Sequence, residues 1–328
     1  MNFTSMLYMM MLIMGIMVTI SSNNWLGMWM GLELNLMSFI PLISKSKNMK
    51  SSQAMMIYFM TQSAGSIVLL FSILLNKYNM QSLYWMNELT MMMMIYSLIL
   101  KLGAAPFHFW FPEMMSKLNW KECGLLMTLQ KIGPMCILSN NMHYSIYLSV
   151  ILSTMMGAVG GLNQTSLRKI MAYSSINHLG WMIAFMMTSV QWYKYLLVYS
   201  IIVISMIYMF HNWNIYFINQ MMNMNNSMME KYTITTMMMS LGGMPPFLGF
   251  LPKLMVIMNM ISTKMMFTMI IMMMFSLVTL FYYMRMINSL LLLNTTMNKW
   301  NKNIKLKKNF LFMIMLLNLS LPLAYMIF

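Results

Sequence analysis

Four charged residues stand inside long apolar segments of the sequence, where they could transfer protons. They are Glu33 in WMGLELNLMS, Lys101 in SLILKLGAAPF, Lys131 in LQKIGP and Lys253 in FLPKLM. Burial favours the neutral form of a lysine, so a buried lysine can release a proton near neutral pH. We therefore predict that all four take part in proton transfer. A structural alternative stays open, because a lysine near a span end can reach the surface and Glu33 can pin two helices through one ion pair.

Glu33 is also expected to have a specific partner. Of the five acidic residues, it alone falls inside a predicted span. A nearby ammonium would keep its carboxylate charged and would keep the lysine protonated. We therefore expect Glu33 and Lys101 to lie within about 4–8 Å of each other.

Two histidines are candidate members of the same relay. His178 lies in SSINHLGW with Ser174, Ser175 and Asn177, and this polar stripe is explained equally well by a hydrated relay or by hydrogen bonds between helices. His108 lies in GAAPFHFWFP beside Lys101. Only two cysteines occur, without a CxxC pair or a Cys/His cluster, so the sequence predicts no metal and no cofactor on this chain.

The elements that position these residues are predicted to be transmembrane helices. Of the 328 residues, 60% are hydrophobic and 8% are charged, and the mean hydropathy is +0.67, whereas soluble domains have about 25% charged residues. The chain therefore reads as a single all-α, polytopic membrane domain, residues 1–328. We place about eleven spans near 3–20, 24–43, 51–75, 88–112, 122–138, 144–161, 168–190, 193–217, 232–261, 265–290 and 309–328.

Two of these spans contain a shared pattern of helix breakers. GAAPFHFWFP (103–112) and GMPPFLGFLP (243–252) both read G-x-x-P-F-x-x-aromatic-x-P. A proline removes a backbone donor, and the carbonyls freed in a membrane must find protein or water partners. If the spans alternate in direction, the two breaks run in opposite directions, as in inverted-repeat transporters. This predicts one five-helix repeat at 1–138, an inverted one at 144–290 and a C-terminal helix at 309–328, although chance or plain packing also explains so short a motif.

The basic residues are distributed unequally between the two sides of the membrane. Of 20 basic residues, three lie inside spans, only Lys77, Lys194 and Lys264 lie on one side, and all others lie on the side of the N-terminus. The positive-inside rule makes the N-terminal side the cytoplasm-like side, which is the matrix in a mitochondrion. These charges form no continuous face, which argues against nucleic-acid binding.

A basic cluster precedes the last span, in NKWNKNIKLKKNF (298–310). Its lysines, from Lys299 to Lys308, are expected to bind an anionic phospholipid such as cardiolipin, or an acidic neighbouring subunit. The alternative is a solvated loop that satisfies the positive-inside rule.

Lys253 is expected to hold its proton less tightly than Lys101. It follows Pro252, in the first turn of a new half-helix, and helix N-termini disfavour cations. Lys101 lies near the C-terminal end of a half-helix, which favours its charge.

Five segments, in order, resemble one known family: WMGLELNLMSFIPL, KLGAAPFHFWFPE, LQKIGP, SSINHLGW and GGMPPFLGFLPK. They are similar to the antiporter-like membrane-arm subunits of respiratory complex I, the NADH:ubiquinone oxidoreductase. The resemblance maps the family's functional glutamate onto Glu33 and two of its lysines onto Lys101 and Lys131. It maps the family's charged residue at the second break onto Lys253.

The resemblance also implies a function and a location. It implies a core subunit of a redox-driven proton pump in the mitochondrial inner membrane, multi-pass, with the N-terminus in the matrix and the C-terminus in the intermembrane space. It implies other membrane-arm and accessory subunits of complex I as partners, and no flavin, iron–sulfur cluster or quinone headgroup on this chain. Two rival functions remain, a stand-alone cation/proton antiporter and a passive membrane scaffold.

Overall fold

The described part of the chain is almost wholly helical. A computed structural model describes residues 3–45, 48–78, 84–189, 191–222, 228–291 and 308–320. Among these residues the β pairing consists of an isolated bridge between Ser166 and Phe217. The all-α prediction is therefore confirmed. The chain divides into two compact units, Met1–Ser153 and Thr154–Phe328.

The first unit holds Glu33, Lys101, His108 and Lys131. Its described helices are α1 (Phe3–Ser21), α2 (Trp25–Ser44), α3 (Met49–Tyr78), α4 (Tyr84–Leu102), α5 (Trp110–Lys117), α6 (Trp120–Met127), α7 (Leu129–Ser139) and the start of α8 (Ile146–Val159).

The second unit holds His178 and Lys253. After the end of α8, its described helices are α9 (Leu167–Thr188), α10 (Trp192–Trp213), α11 (Ile218–Met222), α12 (Met228–Gly242), α13 (Phe250–Ser262), α14 (Met266–Leu291) and α15 (Lys308–Leu319).

Several of these helices suit a membrane. By length and composition, α1, α2, α3, α10 and α14 are long and apolar enough to cross one. They carry large apolar side chains on their outer faces, such as Met14 on α1 and Leu277 on α14, which are 60% and 63% exposed. The chain is therefore a multi-pass membrane protein, while the total of eleven spans and the repeats at 1–138 and 144–290 stay predictions.

Both predicted breaks interrupt a helix. Helix α4 ends at Leu102 and α5 begins at Trp110, while α12 ends at Gly242 and α13 begins at Phe250. The first residue after each helix end is a glycine with positive φ, 71° at Gly103 and 78° at Gly243. A side chain would strain this left-handed conformation, which explains why glycine ends both helices.

The two breaks also share a pattern of backbone hydrogen bonds. Gly103 N donates to Leu100 O at 3.1 Å, and Gly243 N donates to Ser240 O at 3.0 Å. The next residue in each break bonds five positions back, from Ala104 to Ile99 and from Met244 to Met239, both at 3.2 Å. The shared sequence motif therefore encodes one local structure, found once in each unit.

A third interruption was not predicted. The segment 122–138 was expected to form one span, but the structure ends α6 at Met127 and begins α7 at Leu129. Thr128, between them, has φ −117° and ψ −76°, and its hydroxyl donates to Gly124 O at 2.7 Å. A threonine hydroxyl competes with the backbone for helix carbonyls, which accounts for the irregular turn. The helical prediction for this segment therefore holds on both sides of Thr128, and its identity as one span stays a prediction.

The C-terminal prediction is only partly within the described residues. Helix α15 covers the first half of the predicted span 309–328, and residues 321–328 lie outside the described part. The basic cluster also lies outside it from Lys299 to Lys307, and Lys308 is the first residue of α15. Lipid binding at this cluster stays a prediction.

Candidate functional site

Glu33 and Lys101 form an ion pair in the interior of the first unit. Helix α2 carries Glu33, and the last turn of α4 carries Lys101. Lys101 Nζ lies 4.0 Å from Glu33 Oε1, and the two side chains are 2% and 24% exposed respectively. The predicted proximity is confirmed. Among the described residues Glu33 Oε1 has no hydrogen-bond partner, so charge attraction rather than a direct hydrogen bond holds the pair.

Neutral side chains cap the helix end at which Lys101 stands. Trp110 Nε1 donates to Leu100 O at 3.1 Å, and Gln62 Nε2 donates to Lys101 O at 3.1 Å. Protein groups therefore satisfy these carbonyls, as a break inside a membrane requires. Because Trp110 and Gln62 carry no charge, they do not compete with Glu33 for the Lys101 ammonium.

Lys101 and Lys131 line the same small cavity. Its volume is about 20 Å³, enough for about one water molecule. The polar residues in its wall besides the two lysines are Asn35, Tyr58, Gln62 and Gln130. Lys131 is 2% exposed, and its Nζ lies 5.8 Å from the centre of the Phe111 ring. A buried polar cavity between two lysines is a place where a proton can move through water.

A hydrogen-bonded chain of neutral groups runs along this cavity. Tyr58 OH donates to Gln130 Oε1 at 3.1 Å, and Gln130 Nε2 donates to Asn35 Oδ1 at 2.9 Å. These bonds orient the Gln130 side chain beside Lys131. The residues predicted from the sequence did not include Asn35, Tyr58, Gln62 or Gln130. The available signal was their polarity within segments otherwise apolar.

His108 is buried in the first break and lies apart from this cavity. It is 2% exposed, with Nδ1 3.3 Å from Pro106 O and its ring 4.3 Å from that of Phe109. The residues that line the cavity do not include His108. Its role as a relay member stays a prediction.

Lys253 stands at the second break, but its ammonium does not lie at a helix N-terminus as predicted from the sequence. The residue lies in the first turn of α13, as expected. Its Nζ donates to Gly242 O at 2.7 Å, at the C-terminal end of α12, and lies 5.7 Å from the centre of the Trp181 ring. Both contacts favour the cation.

The expectation that a helix N-terminus surrounds the Lys253 ammonium was therefore wrong, and the order in which Lys101 and Lys253 hold their protons stays a prediction. Helical side chains point toward the helix N-terminus, so a lysine in the first turn of α13 reaches back across the break to the end of α12.

His178 is buried within α9 and contacts α10. Its Nδ1 lies 2.9 Å from Tyr195 OH, and the residue is 5% exposed. Ser174 and Ser175 are also buried, and each hydroxyl donates to the carbonyl three residues earlier, at 2.8 and 2.7 Å. The structure thus gives His178 a hydroxyl partner, as a relay would need, and leaves both interpretations of the stripe open.

The described residues offer no metal site. Among them, no three His, Cys, Asp or Glu side chains come together as a metal ion would require. The absence of a cofactor from the whole chain stays a prediction.

Broken helices and buried lysines beside a polar cavity define the class, the antiporter-like membrane proteins that move ions. Residues 22–279 match the family described as NADH:quinone oxidoreductase/Mrp antiporter, transmembrane. NADH-ubiquinone oxidoreductase chain 2 of Anopheles gambiae is 46% identical over 93% of this chain and 89% of its own length. The protein of the same name from Locusta migratoria is 44% identical over 94% and 91% of the two lengths.

Solved structures show the same fold. A chain of respiratory complex I from Thermus thermophilus superposes with a TM-score of 0.86, at 18% identity, covering 98% of this chain and 78% of its own. A chain of the Mrp complex from Dietzia sp. DQ12-45-1b gives a TM-score of 0.77 at 14% identity, covering 88% and 61%. The chain therefore belongs to the NADH-ubiquinone oxidoreductase chain 2 family, and the resemblance found in the sequence is confirmed.

Proposed function

We propose that this chain is a core membrane-arm subunit of respiratory complex I. In this role it takes part in proton translocation across the mitochondrial inner membrane, coupled to NADH oxidation and ubiquinone reduction. The observation that carries the proposal is the cavity of the first unit, lined by Lys101 and Lys131, with Glu33 Oε1 4.0 Å from Lys101 Nζ. The relatives are named NADH-ubiquinone oxidoreductase chain 2, and these names support respiratory complex I as the assembly that contains this subunit.

The geometry supports a simple proton step. While Glu33 stays near Lys101, the carboxylate favours the protonated lysine. When the two charges separate, Lys101 releases its proton to water in the cavity, and Lys131 accepts it. Gln130 and Tyr58 are fixed by hydrogen bonds and can orient that water without gaining or losing a proton. The step therefore moves one proton and leaves the neutral groups unchanged.

The proposal includes the finer architecture. We infer eleven spans, with inverted repeats at 1–138 and 144–290 and a last span at 309–328. The N-terminus lies in the matrix and the C-terminus in the intermembrane space. Two features support this, the unequal distribution of lysines and the shared geometry of the two breaks.

Lysine labelling tests the orientation. A membrane-impermeant acylating reagent should modify Lys121 only from the matrix side and Lys264 only from the other side, and both are exposed in the structure. If Lys121 were modified only from the intermembrane space and Lys264 only from the matrix, the chain would have the opposite orientation.

The partners and the chemistry follow from the same proposal. The chain contacts other membrane-arm and accessory subunits, and Lys299–Lys308 bind an anionic phospholipid such as cardiolipin. It carries no redox centre, flavin or iron–sulfur cluster of its own, so electron transfer occurs in other subunits. Nucleic acid is not a partner.

One experiment separates this function from its rivals. Mild detergent extraction should release the chain within a large assembly that oxidises NADH with ubiquinone, and the chain alone in liposomes should not exchange cations for protons. Cation exchange by the isolated chain would support a stand-alone antiporter. A complex that pumps normally after Lys131 is neutralised would support a passive scaffold.

A further inference from the structure

Four tyrosines are buried around His178 in the second unit. Tyr195 and Tyr199 come from α10, and Tyr282 and Tyr283 come from α14; their exposed fractions are 0%, 2%, 0% and 1%. Phenylalanine would fill nearly the same space without a polar atom. Burying a hydroxyl is costly unless it is hydrogen-bonded, so packing alone does not explain four buried hydroxyl groups in one place.

Two of the tyrosines contact His178, and the other two contact each other. Tyr195 OH lies 2.9 Å from His178 Nδ1, and the Tyr199 ring lies 4.9 Å from the imidazole. The rings of Tyr282 and Tyr283 are 4.7 Å apart, and Tyr283 interacts with Ser174. Among the described residues the hydroxyls of Tyr282 and Tyr283 have no direct hydrogen-bond partner, so a proton that passes between them needs a bridging water.

The two helices that carry these tyrosines both pack against α9, which carries His178, Ser174 and Ser175. Tyr199 faces Ser175. Both Tyr199 and Tyr195 interact electrostatically with Tyr283. A serine hydroxyl that donates to a helix carbonyl still has lone pairs that accept, so both serines can join a chain of hydroxyl groups.

One end of this cluster reaches the loop before α9. A Cβ atom at Gly161 would lie 2.8 Å from the Tyr282 ring, so this ring rests on the loop backbone. Arg285, one turn along α14, holds the same loop by donating to Leu162 O at 2.5 Å and to Gln164 O at 2.7 Å. The cluster therefore extends from the loop at the N-terminal end of α9 to His178 in the middle of that helix.

We propose that this cluster is a hydroxyl relay that delivers protons to His178 from the loop that precedes α9. Its members, beginning at the loop, are Tyr282, Tyr283, Ser174, Tyr199, Ser175 and Tyr195. Each hydroxyl accepts a proton on its oxygen, directly or from a bridging water, and passes its own proton onward, so each member is neutral before and after the transfer. The relay rests on the proposed function, to which it adds a route within the second unit.

The test uses the intact complex in inner-membrane vesicles, with Tyr195→Phe and Tyr283→Phe introduced singly and together. Each single variant should slow NADH-driven proton translocation by about three- to tenfold, the effect of one hydrogen bond lost from the route. Because the two residues act in series, the double variant should be no slower than the worse single variant. Tyr208→Phe is the matched control, since Tyr208 lies on the same α10 but is 47% exposed, and it should pump normally.

If Tyr195 and Tyr283 only support packing, their single and double variants should behave differently. Packing defects at two sites would add in the double variant, and they would reduce the amount of assembled complex in proportion to the loss of pumping. Additive losses, losses explained by lower assembly, or normal pumping in Tyr195→Phe would each overturn the relay. If Lys131→Met stops pumping while both tyrosine variants pump normally, the relay is wrong and the proposed function stands.

Discussion

Replacing Glu33 with glutamine removes one negative charge and keeps the size of the side chain. In the structure this charge lies 4.0 Å from Lys101 Nζ. Two unit charges at this distance attract by about 4 kcal/mol at an effective dielectric constant of about 20. Glu33 is 24% exposed, and solvent weakens the attraction, so we take about 2 kcal/mol as the net value, between the ranges for exposed and buried pairs.

A loss of about 2 kcal/mol corresponds to roughly a 30-fold change in an equilibrium. We therefore expect Glu33→Gln to slow proton translocation by about 10- to 30-fold under conditions in which protonation of Lys101 limits the rate. The assay measures NADH-driven acidification and NADH oxidation together in inner-membrane vesicles, normalised to the amount of assembled complex.

The matched control is Glu113→Gln. Glu113 Oε1 is nearer its partner, 2.9 Å from Lys117 Nζ, but the Glu113 side chain is 59% exposed. An exposed pair contributes about 0–1 kcal/mol at most, so this variant should pump almost normally. Normal pumping by Glu33→Gln, or an equal loss in Glu113→Gln, would refute the reasoning that burial gives the first pair its effect.

Three further variants test the geometry around the breaks and the cavity. Gln130→Leu removes the group that joins Tyr58 to Asn35, so it should lower the thermal stability of the complex by about 1–3 kcal/mol and slow pumping; unchanged pumping would exclude the amide from the route. Gly243→Ala puts a methyl group at φ 78° and 2.8 Å from Lys253 Nζ, so it should reduce assembly, whereas Gly242→Ala, with its nearest atom 3.6 Å away, should be tolerated. Trp110→Phe removes the indole donor from Leu100 O and should cost about 0.5–1.5 kcal/mol of stability, measured as thermal inactivation; a gain in stability would contradict the capping role.

The breaks and the first ion pair could be predicted because they depend on local or unique features. Glycine followed within a few residues by proline favours the end of a helix, and the positive φ at Gly103 and Gly243 agrees with that tendency. Glu33 is the only acid within a predicted span, so few partners other than a buried lysine could offset its burial.

The polar wall of the cavity could not be predicted in the same way. Gln130 bonds to Asn35, 95 positions away, and to Tyr58, 72 positions away, and no local pattern encodes such distant contacts. The tyrosines of the second unit were missed for the same reason, since α10 and α14 pack against α9 only in the folded chain.

The position of the Lys253 ammonium could not be predicted from the sequence for a different reason. The residue's place in the first turn of α13 was predicted correctly, but its ammonium lies at Gly242 O on the other side of the break. The direction of a helical side chain decides which helix end the charge meets, and position in the sequence alone does not give it.

We propose that protons cross the cavity between Lys101 and Lys131. The most direct test is the number of protons moved for each NADH oxidised by the purified complex in liposomes, for Lys131→Met and for Lys121→Met. Lys131 is 2% exposed and lines the cavity, whereas Lys121 is exposed on α6. The account predicts a lower proton number or a halted pump for Lys131→Met and a normal number for Lys121→Met. A complex with Lys131→Met that assembles, oxidises NADH and moves the normal number of protons would contradict it.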